Sequence, residues 1–233
     1  MTATLDHGAL MDRIYRLQRR FGFYDATRKY YLLGRDRMLE RLHVPAGGTV
    51  LEIGCGTGRN LVKAAQAYPH ARFHGIDISG EMLAAAGSAV TRTRLHDRVR
   101  LARADAVTFD PQASFRTARD HGYDRIFISY AVSMIPQWRD ALLRASQLLA
   151  PGGELHVVDF GDMAGLPSWT KHVIRTWLGW HHVKPRPDLF GVAAEIAALQ
   201  GGTSEAASLH RGFSCIAIVR RPDGLAVKQP DAG

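Results

Sequence analysis

Cysteine is scarce: Cys55 and Cys215 are the two thiols in 233 residues. Two thiols make neither a disulfide framework nor a cysteine-built metal site, so a reducing, cytosolic setting is the expectation. Long apolar runs are missing as well. No uninterrupted stretch approaches the length that crosses a bilayer, and the opening MTATLDHG lacks the basic-then-apolar order of a secretory signal. Any membrane contact is therefore expected to be peripheral. Acidic residues are in deficit, 22 against 30 Lys and Arg, and the formal charge of +8 attracts polyanions, either nucleic acid or an anionic membrane face. What is present is apolar content for one substantial core, 46% of residues, in a chain too short for two comfortable domains.

Leu10, Ile14, Leu17 and Phe21 recur at helical spacing, with Arg13, Arg16, Arg19 and Arg20 on the other side, which predicts an amphipathic basic helix. A second helical stretch runs from about Tyr24 to Leu42 and ends at Pro45-Ala46-Gly47-Gly48. After that break, β-rich runs (Val50 to Ile53, Arg72 to Ile78, Val99 to Ala102, Tyr123 to Tyr130, Glu154 to Phe160) alternate with helical ones (Arg59 to Tyr68, Gly80 to Val90, Arg139 to Leu149). Strict alternation implies a parallel sheet with helices on both faces, a doubly wound α/β fold. Trp169 to Trp180 and Val192 to Gln200 read as helices, and Phe213 to Arg220 as a late strand expected on the sheet's edge. The division expected is 1–47 as an N-terminal helical lid or membrane-facing segment, 48–221 as the main domain and 222–233 as a polar tail.

The sharpest local signal is Leu51-Glu52-Ile53-Gly54-Cys55-Gly56-Thr57-Gly58, where a strand hands over to a helix. Alternate glycines let the backbone turn tightly and approach a ligand without a Cβ in the way. A dinucleotide loop would read G-x-G-x-x-G; here the spacing is G-x-G-x-G with an acid just ahead. The pattern resembles motif I of the class I S-adenosylmethionine-dependent methyltransferases, which implies that Glu52, Gly54, Cys55 and Gly56 line the cofactor, Glu52 toward its amino end. Other positions agree. Asp77, closing the second strand, suits the two ribose hydroxyls, and Ser79 can supply the helix cap that Asp77 would otherwise provide. Asp105 and Ala106 after the third strand fall beside the adenine, with Ile78 and Met82 as apolar walls. Ser129 and Tyr130, at the carboxyl end of the fourth strand, lie where ligands collect in open α/β sheets. Tyr123-Asp124-Arg125-Ile126-Phe127 and Leu149-Ala150-Pro151-Gly152-Gly153 resemble later landmarks of the class, whose fold is a mostly parallel seven-stranded sheet, here with an N-terminal helical extension.

Tyr24-Asp25-Ala26-Thr27-Arg28-Lys29-Tyr30-Tyr31-Leu32-Leu33-Gly34-Arg35-Asp36, with Ser133-Met134-Ile135-Pro136-Gln137-Trp138 and Leu155-His156-Val157-Val158-Asp159-Phe160-Gly161, narrows the likeness. These segments resemble the bacterial betaine-lipid N-methyltransferases, over about Met11 to Arg220. The resemblance implies successive trimethylation of diacylglycerylhomoserine, supplied by a separate partner enzyme; phosphatidylethanolamine N-methyltransferases share much of the pattern. A lipid substrate with an amine head group and an anionic membrane surface are the partners expected, at the inner face of the membrane, with no nucleic acid. The aromatics fall on amphipathic stripes, among them Leu166, Trp169, Val173, Trp177 and Trp180 flanked by Lys171, Arg175, Lys184 and Arg186, and are not interleaved with lysine as in RNA binders. A soluble enzyme acting on a small amine is one rival reading, and an RNA methyltransferase or basic RNA-binding protein, suggested only by charge, is another.

Tyr24, Tyr31 and Tyr130 are the catalytic candidates, since aromatic rings favour a cationic methyl or ammonium. Tyr24 and Arg28 are also assigned to the cofactor, Arg28 because its fork suits a carboxylate. Water, or a carboxylate such as Asp25 or Asp159, could take the protons shed by the first two methylations. His181 and His182 are consecutive and cannot converge on one ion, no cysteine or carboxylate cluster lies nearby, and no metal is expected. His74 and His156, inside predicted strands, are expected to be packed.

Overall fold

The computed structural model describes residues 32–115, 122–180 and 183–224. The basic helix, residues 24–31 of the expected second helical stretch, His181, His182 and the end of the polar tail lie outside the described residues. In chain order the elements are α1 (Arg35–Glu40), β1 (Thr49–Ile53), α2 (Arg59–Ala67), β2 (Arg72–Asp77), α3 (Gly80–Arg92), β3 (Val99–Arg103) and α4 (Pro111–Phe115). There follow β4 (Tyr123–Ser129), α5 (Trp138–Gln147), β5 (Leu149–Phe160), α6 (Ser168–Trp180), α7 (Leu189–Leu199), β6 (Thr203–Leu209) and β7 (Ser214–Arg220).

The seven strands form one sheet in the order β3-β2-β1-β4-β5-β7-β6. β1 to β5 pair in parallel and β7 runs antiparallel to both β5 and β6. Alternation along each strand sends side chains to opposite faces. Leu51, Ile53, Ile126, Ile128, Leu155 and Val157 join one apolar cluster with α5 and α7. Val50, Phe73, Phe127, Val158 and Ile216 join the other with α1, α2 and α6. Both faces are therefore covered, as a parallel sheet requires. α5 shows why: Trp138, Ala141, Leu142 and Ala145 recur at spacings of three, one and three and are all buried.

Two expectations fail in the last third. The late strand, β7, is not on the edge; it lies between β5 and β6, and β6 is the edge. β6 reads TSEAASL and is exposed along most of its length, so it carries no apolar alternation by which to be recognised. Ion pairs hold it, with Glu205 reaching Arg41, at the end of α1, at 2.6 Å and Arg220, on β7, at 3.1 Å. β5 also begins earlier than expected, at Leu149, passing through Pro151-Gly152-Gly153 with a shift of register against β4.

The strand histidines are packed. His74 Nδ1 lies 2.8 Å from the Tyr123 hydroxyl and its ring stacks on Phe115 with centroids 3.9 Å apart. Burial lowers its pKa to about 4. Buried His156 donates from Nε2 to Glu154 at 2.8 Å, and Glu154 is further held by Arg220 at 2.9 Å. No helix among the described residues is long and apolar enough to cross a membrane.

Candidate active site

The turn after β1 is built from left-handed backbone. Gly54, Gly56 and Gly58 have φ of +71, +53 and +77°, a region that residues with a Cβ seldom occupy. Gly54 has a second reason: a Cβ there would lie 2.6 Å from that of Ala131, in the loop after β4. At Gly56 nothing stands within 4 Å of the missing Cβ, so this glycine borders open space, as a ligand cradle needs. The N–H groups of Gly54 and Cys55 both donate to Ile76 O, at 2.8 and 2.9 Å, which hooks the turn onto the end of β2.

Asp77 completes that hook. Its Oδ2 accepts from the Gly56 N–H at 2.8 Å and its Oδ1 from the Ser79 N–H at 2.9 Å, so both oxygens are oriented by backbone. A carboxylate offers about four acceptor positions, and this grip is compatible with a ribose diol. Ser79 caps α3, its Oγ accepting from the Met82 N–H at 3.3 Å, as expected from sequence. Ile78 is half-buried beside Asp77, its carbonyl taken by Arg103 Nε at 2.9 Å, whereas Met82, in the first turn of α3, is fully buried. Asp105 Oδ1 accepts from the Val107 N–H at 2.7 Å and shapes the turn that carries half-buried Ala106.

Glu52 is 1% exposed. Its Oε1 accepts from Asn60 Nδ2 at 3.3 Å, while Oε2 has no hydrogen-bond partner among the described residues. Burial pushes its pKa well up, and the nearby Asp77 carboxylate adds to the shift. A buried acceptor without a donor is costly, and a ligand ammonium would satisfy it. Ser129 Oγ, at the end of β4, is likewise buried and has no partner among the described residues. Cys55 is buried and its thiol is held well above its usual range by desolvation, which leaves it no thiolate chemistry.

Tyr130 has φ +54° and a buried ring. Its hydroxyl donates to Leu33 O at 2.6 Å and its ring meets Phe160 edge-on at 4.7 Å. The structure thus places Tyr130 as the anchor of the segment entering α1. Tyr24, Arg28 and Tyr31 lie outside the described residues.

Three groups to which sequence reading assigned no role, or only a loose one, gather at the same edge. Arg35 is buried at the start of α1, donates from Nε to Leu32 O at 3.0 Å and exerts its charge on Glu52. Asn60 supports Glu52. Asp159, buried at the end of β5, accepts from the backbone N–H groups of Ser133 at 2.9 Å and Phe160 at 2.7 Å, and burial raises its pKa to about 6. The loop from Ala131 to Gln137 is gripped on its other side by Lys184 N–H to Ser133 O at 3.0 Å and by Arg186 to Ile135 O at 2.9 Å. The signal available in sequence was the run Ser133 to Trp138; its partners are distant in the chain.

Comparison with known proteins agrees with this geometry. A family model described as a methyltransferase domain matches residues 51–155, from β1 into β5. A phosphatidylethanolamine N-methyltransferase of Cereibacter sphaeroides is 30% identical over 73% of this chain and 81% of its own length. A demethylmenaquinone methyltransferase of Listeria monocytogenes is 25% identical over 85% of this chain and 83% of its own. Among solved structures, phosphoethanolamine N-methyltransferase 2 of Haemonchus contortus, in complex with S-adenosyl-L-methionine, superposes with a TM-score of 0.61 at 23% identity, over 75% of this chain and 38% of its own. The glycine turn, the aspartate closing β2 and the 3-2-1-4-5-7-6 sheet therefore belong together: the chain is a member of the class I S-adenosylmethionine-dependent methyltransferases.

Proposed function

We propose that the chain N-methylates the amine of a membrane lipid, adding methyl groups in turn to diacylglycerylhomoserine to give its trimethylated betaine lipid. The observation that carries a lipid amine is the 30% identity to a phosphatidylethanolamine N-methyltransferase across most of both chains. The homoserine head group follows from the resemblance borne by Tyr24–Asp36, Ser133–Trp138 and Leu155–Gly161. That same relative favours phosphatidylethanolamine itself as a second reading. A separate enzyme would supply the homoserine lipid, and the protein would work peripherally on the inner, anionic face of the membrane, without nucleic acid.

In this reading the glycine turn takes the cofactor's backbone-facing side, Asp77 the ribose, Asp105 with Ile78 and Ala106 the adenine, and Glu52 the ammonium. Bound S-adenosylmethionine supplies a methyl group on a sulfonium leaving group. The protein's part is to hold an unprotonated amine in line with that methyl, and such positioning carries most of the acceleration. The first two methylations release a proton; Asp159, buried beside the β4–α5 loop and with its pKa raised to about 6, is the described carboxylate suited to take it through a neighbour. The third gives a quaternary nitrogen with no proton to lose.

Expression beside a diacylglycerylhomoserine-forming enzyme, followed by lipid mass spectrometry, tests the proposal. Mono-, di- and trimethylated homoserine lipid is the expected product series. Methylated phosphatidylethanolamine in its place would establish the second reading, and no methylated lipid of either kind would overturn both.

A further inference from the structure

α6 carries a large apolar face that the described residues leave exposed. Trp169, Val173 and Trp180 stand at positions i, i+4 and i+11, which brings them to one side of the helix, and they are 72, 59 and 76% exposed. The other side is used: Leu178 is fully buried, and Ile174 and Trp177 pack on the cluster that also holds Phe160 and Met163. The sequence stripe thus divides into a half that holds the helix to the domain and a half that faces outward.

Along the chain, the charge carried by α6 and the segment after it has one sign. From Ala164 to Pro187 there is no Asp or Glu, while Lys171, Arg175, Lys184 and Arg186 fall within that span. Exposed tryptophans beside cations match the head-group boundary of a bilayer, where the indole ring reaches acyl chains and its N–H stays wet, and where Lys and Arg meet anionic lipid. A second copy of this chain seated on the same face would set those cations against their own kind.

We propose that the Trp169–Val173–Trp180 face of α6 is a docking surface for an anionic bilayer. Both ends of α6 are tied to the carboxyl edge of the sheet. Before it, the Met163 N–H donates to Gly212 O at 2.7 Å; after it, Lys184 and Arg186 grip the β4–α5 loop that borders the glycine turn. Docking through α6 would bring the carboxyl edge of the sheet, with its glycine turn, toward the head-group layer, where a lipid amine reaches it without leaving the membrane. The inference deepens the lipid-amine reading and rests on it for its purpose, although the binding itself is measured apart from activity.

The test is partition of the full chain onto phosphatidylcholine vesicles with and without phosphatidylglycerol, for wild type and for the combined variant Trp169→Ser, Val173→Ser and Trp180→Ser. Wild type should prefer the anionic vesicles, with tryptophan emission quenched by bromine-labelled acyl chains. The variant should partition about tenfold more weakly or worse and lose most of the quenching, while binding S-adenosylhomocysteine as wild type does. A second variant, Lys171→Glu with Arg175→Glu, should lose the preference for phosphatidylglycerol and decides the matter if the first does not fold. Unchanged partition in the variants, absence of vesicle binding by wild type, or a wild-type dimer that the serine variant dissolves would each overturn the surface. Vesicle binding through α6 without methylation of any amino lipid would leave the surface standing and remove the lipid-amine reading; lipid methylation with unaltered partition in the variants would do the reverse.

Discussion

Asp77 joins two jobs in one side chain, since the carboxylate that would receive a ribose also fastens the glycine turn to the start of α3. Asp77→Ala should weaken S-adenosylhomocysteine binding about a hundredfold, from two lost hydrogen bonds to a charged group, and should lower stability by about 1–3 kcal/mol because the Gly56 and Ser79 N–H groups lose their acceptor. Calorimetric titration and urea unfolding measure the two effects separately. Unaltered affinity would refute the site map. Residues of this kind were legible in the sequence because their reasons are local: Gly54 and Gly56 meet backbone demands of a strand-to-helix turn, and Asp77 ends the next strand. Arg35, Asn60 and Asp159 were not, or only loosely, because each acquires meaning from a neighbour that the sheet supplies, Glu52 for the first two and Ser133 for the third.

Among the elements, α3 is fixed at its start by a side-chain cap. Ser79→Ala should remove the acceptor for the Met82 N–H and cost about 1 kcal/mol, read as a fall in the urea midpoint with an unchanged slope. The Asp77 contacts to Gly56 and Ser79 N–H use backbone donors and should survive. The alternating strands and helices from β1 to β5 announced themselves through period-2 and period-3.6 apolar patterns, for each is buried on one face or two; α4 did not, since its five residues are too few to show a period. β6 did not. It is exposed along most of its length and is held by hydrogen bonding to β7 and by the Arg41–Glu205–Arg220 ion pairs, which no hydrophobic pattern reports. Missing β6 is also why β7 was expected at the edge.

For the molecule as a whole, acid sensitivity follows from its buried bases. Burial holds folded His74 near pKa 4 against about 6.5 when unfolded. Below pH 6.5 the unfolded chain gains a proton that the folded chain refuses, so stability present at neutral pH is lost as pH falls from 6.5 toward 4. The full difference is about 3 kcal/mol for this one group. Thermal melting followed from pH 7 to 4 should fall more steeply for wild type than for His74→Phe; parallel curves would show that His74 ionises freely in the fold. Asp159 acts in the opposite sense, since its raised pKa favours the folded state at low pH and withdraws that support as pH climbs from 3.8 through about 6.

The position of β7 has a consequence for the order in which this sheet can be assembled. Ribosomes release β5 and then β6, yet the two never touch; each is paired by Ser214–Arg220, which is made after both. Until that segment is out of the exit tunnel, the outer side of β5 offers Leu155, Val157 and Val158 with a bare row of peptide groups, the kind of border on which chains adhere to one another. The nascent protein thus carries two open borders until Ser214–Arg220 emerges, and a single closing strand heals both at once.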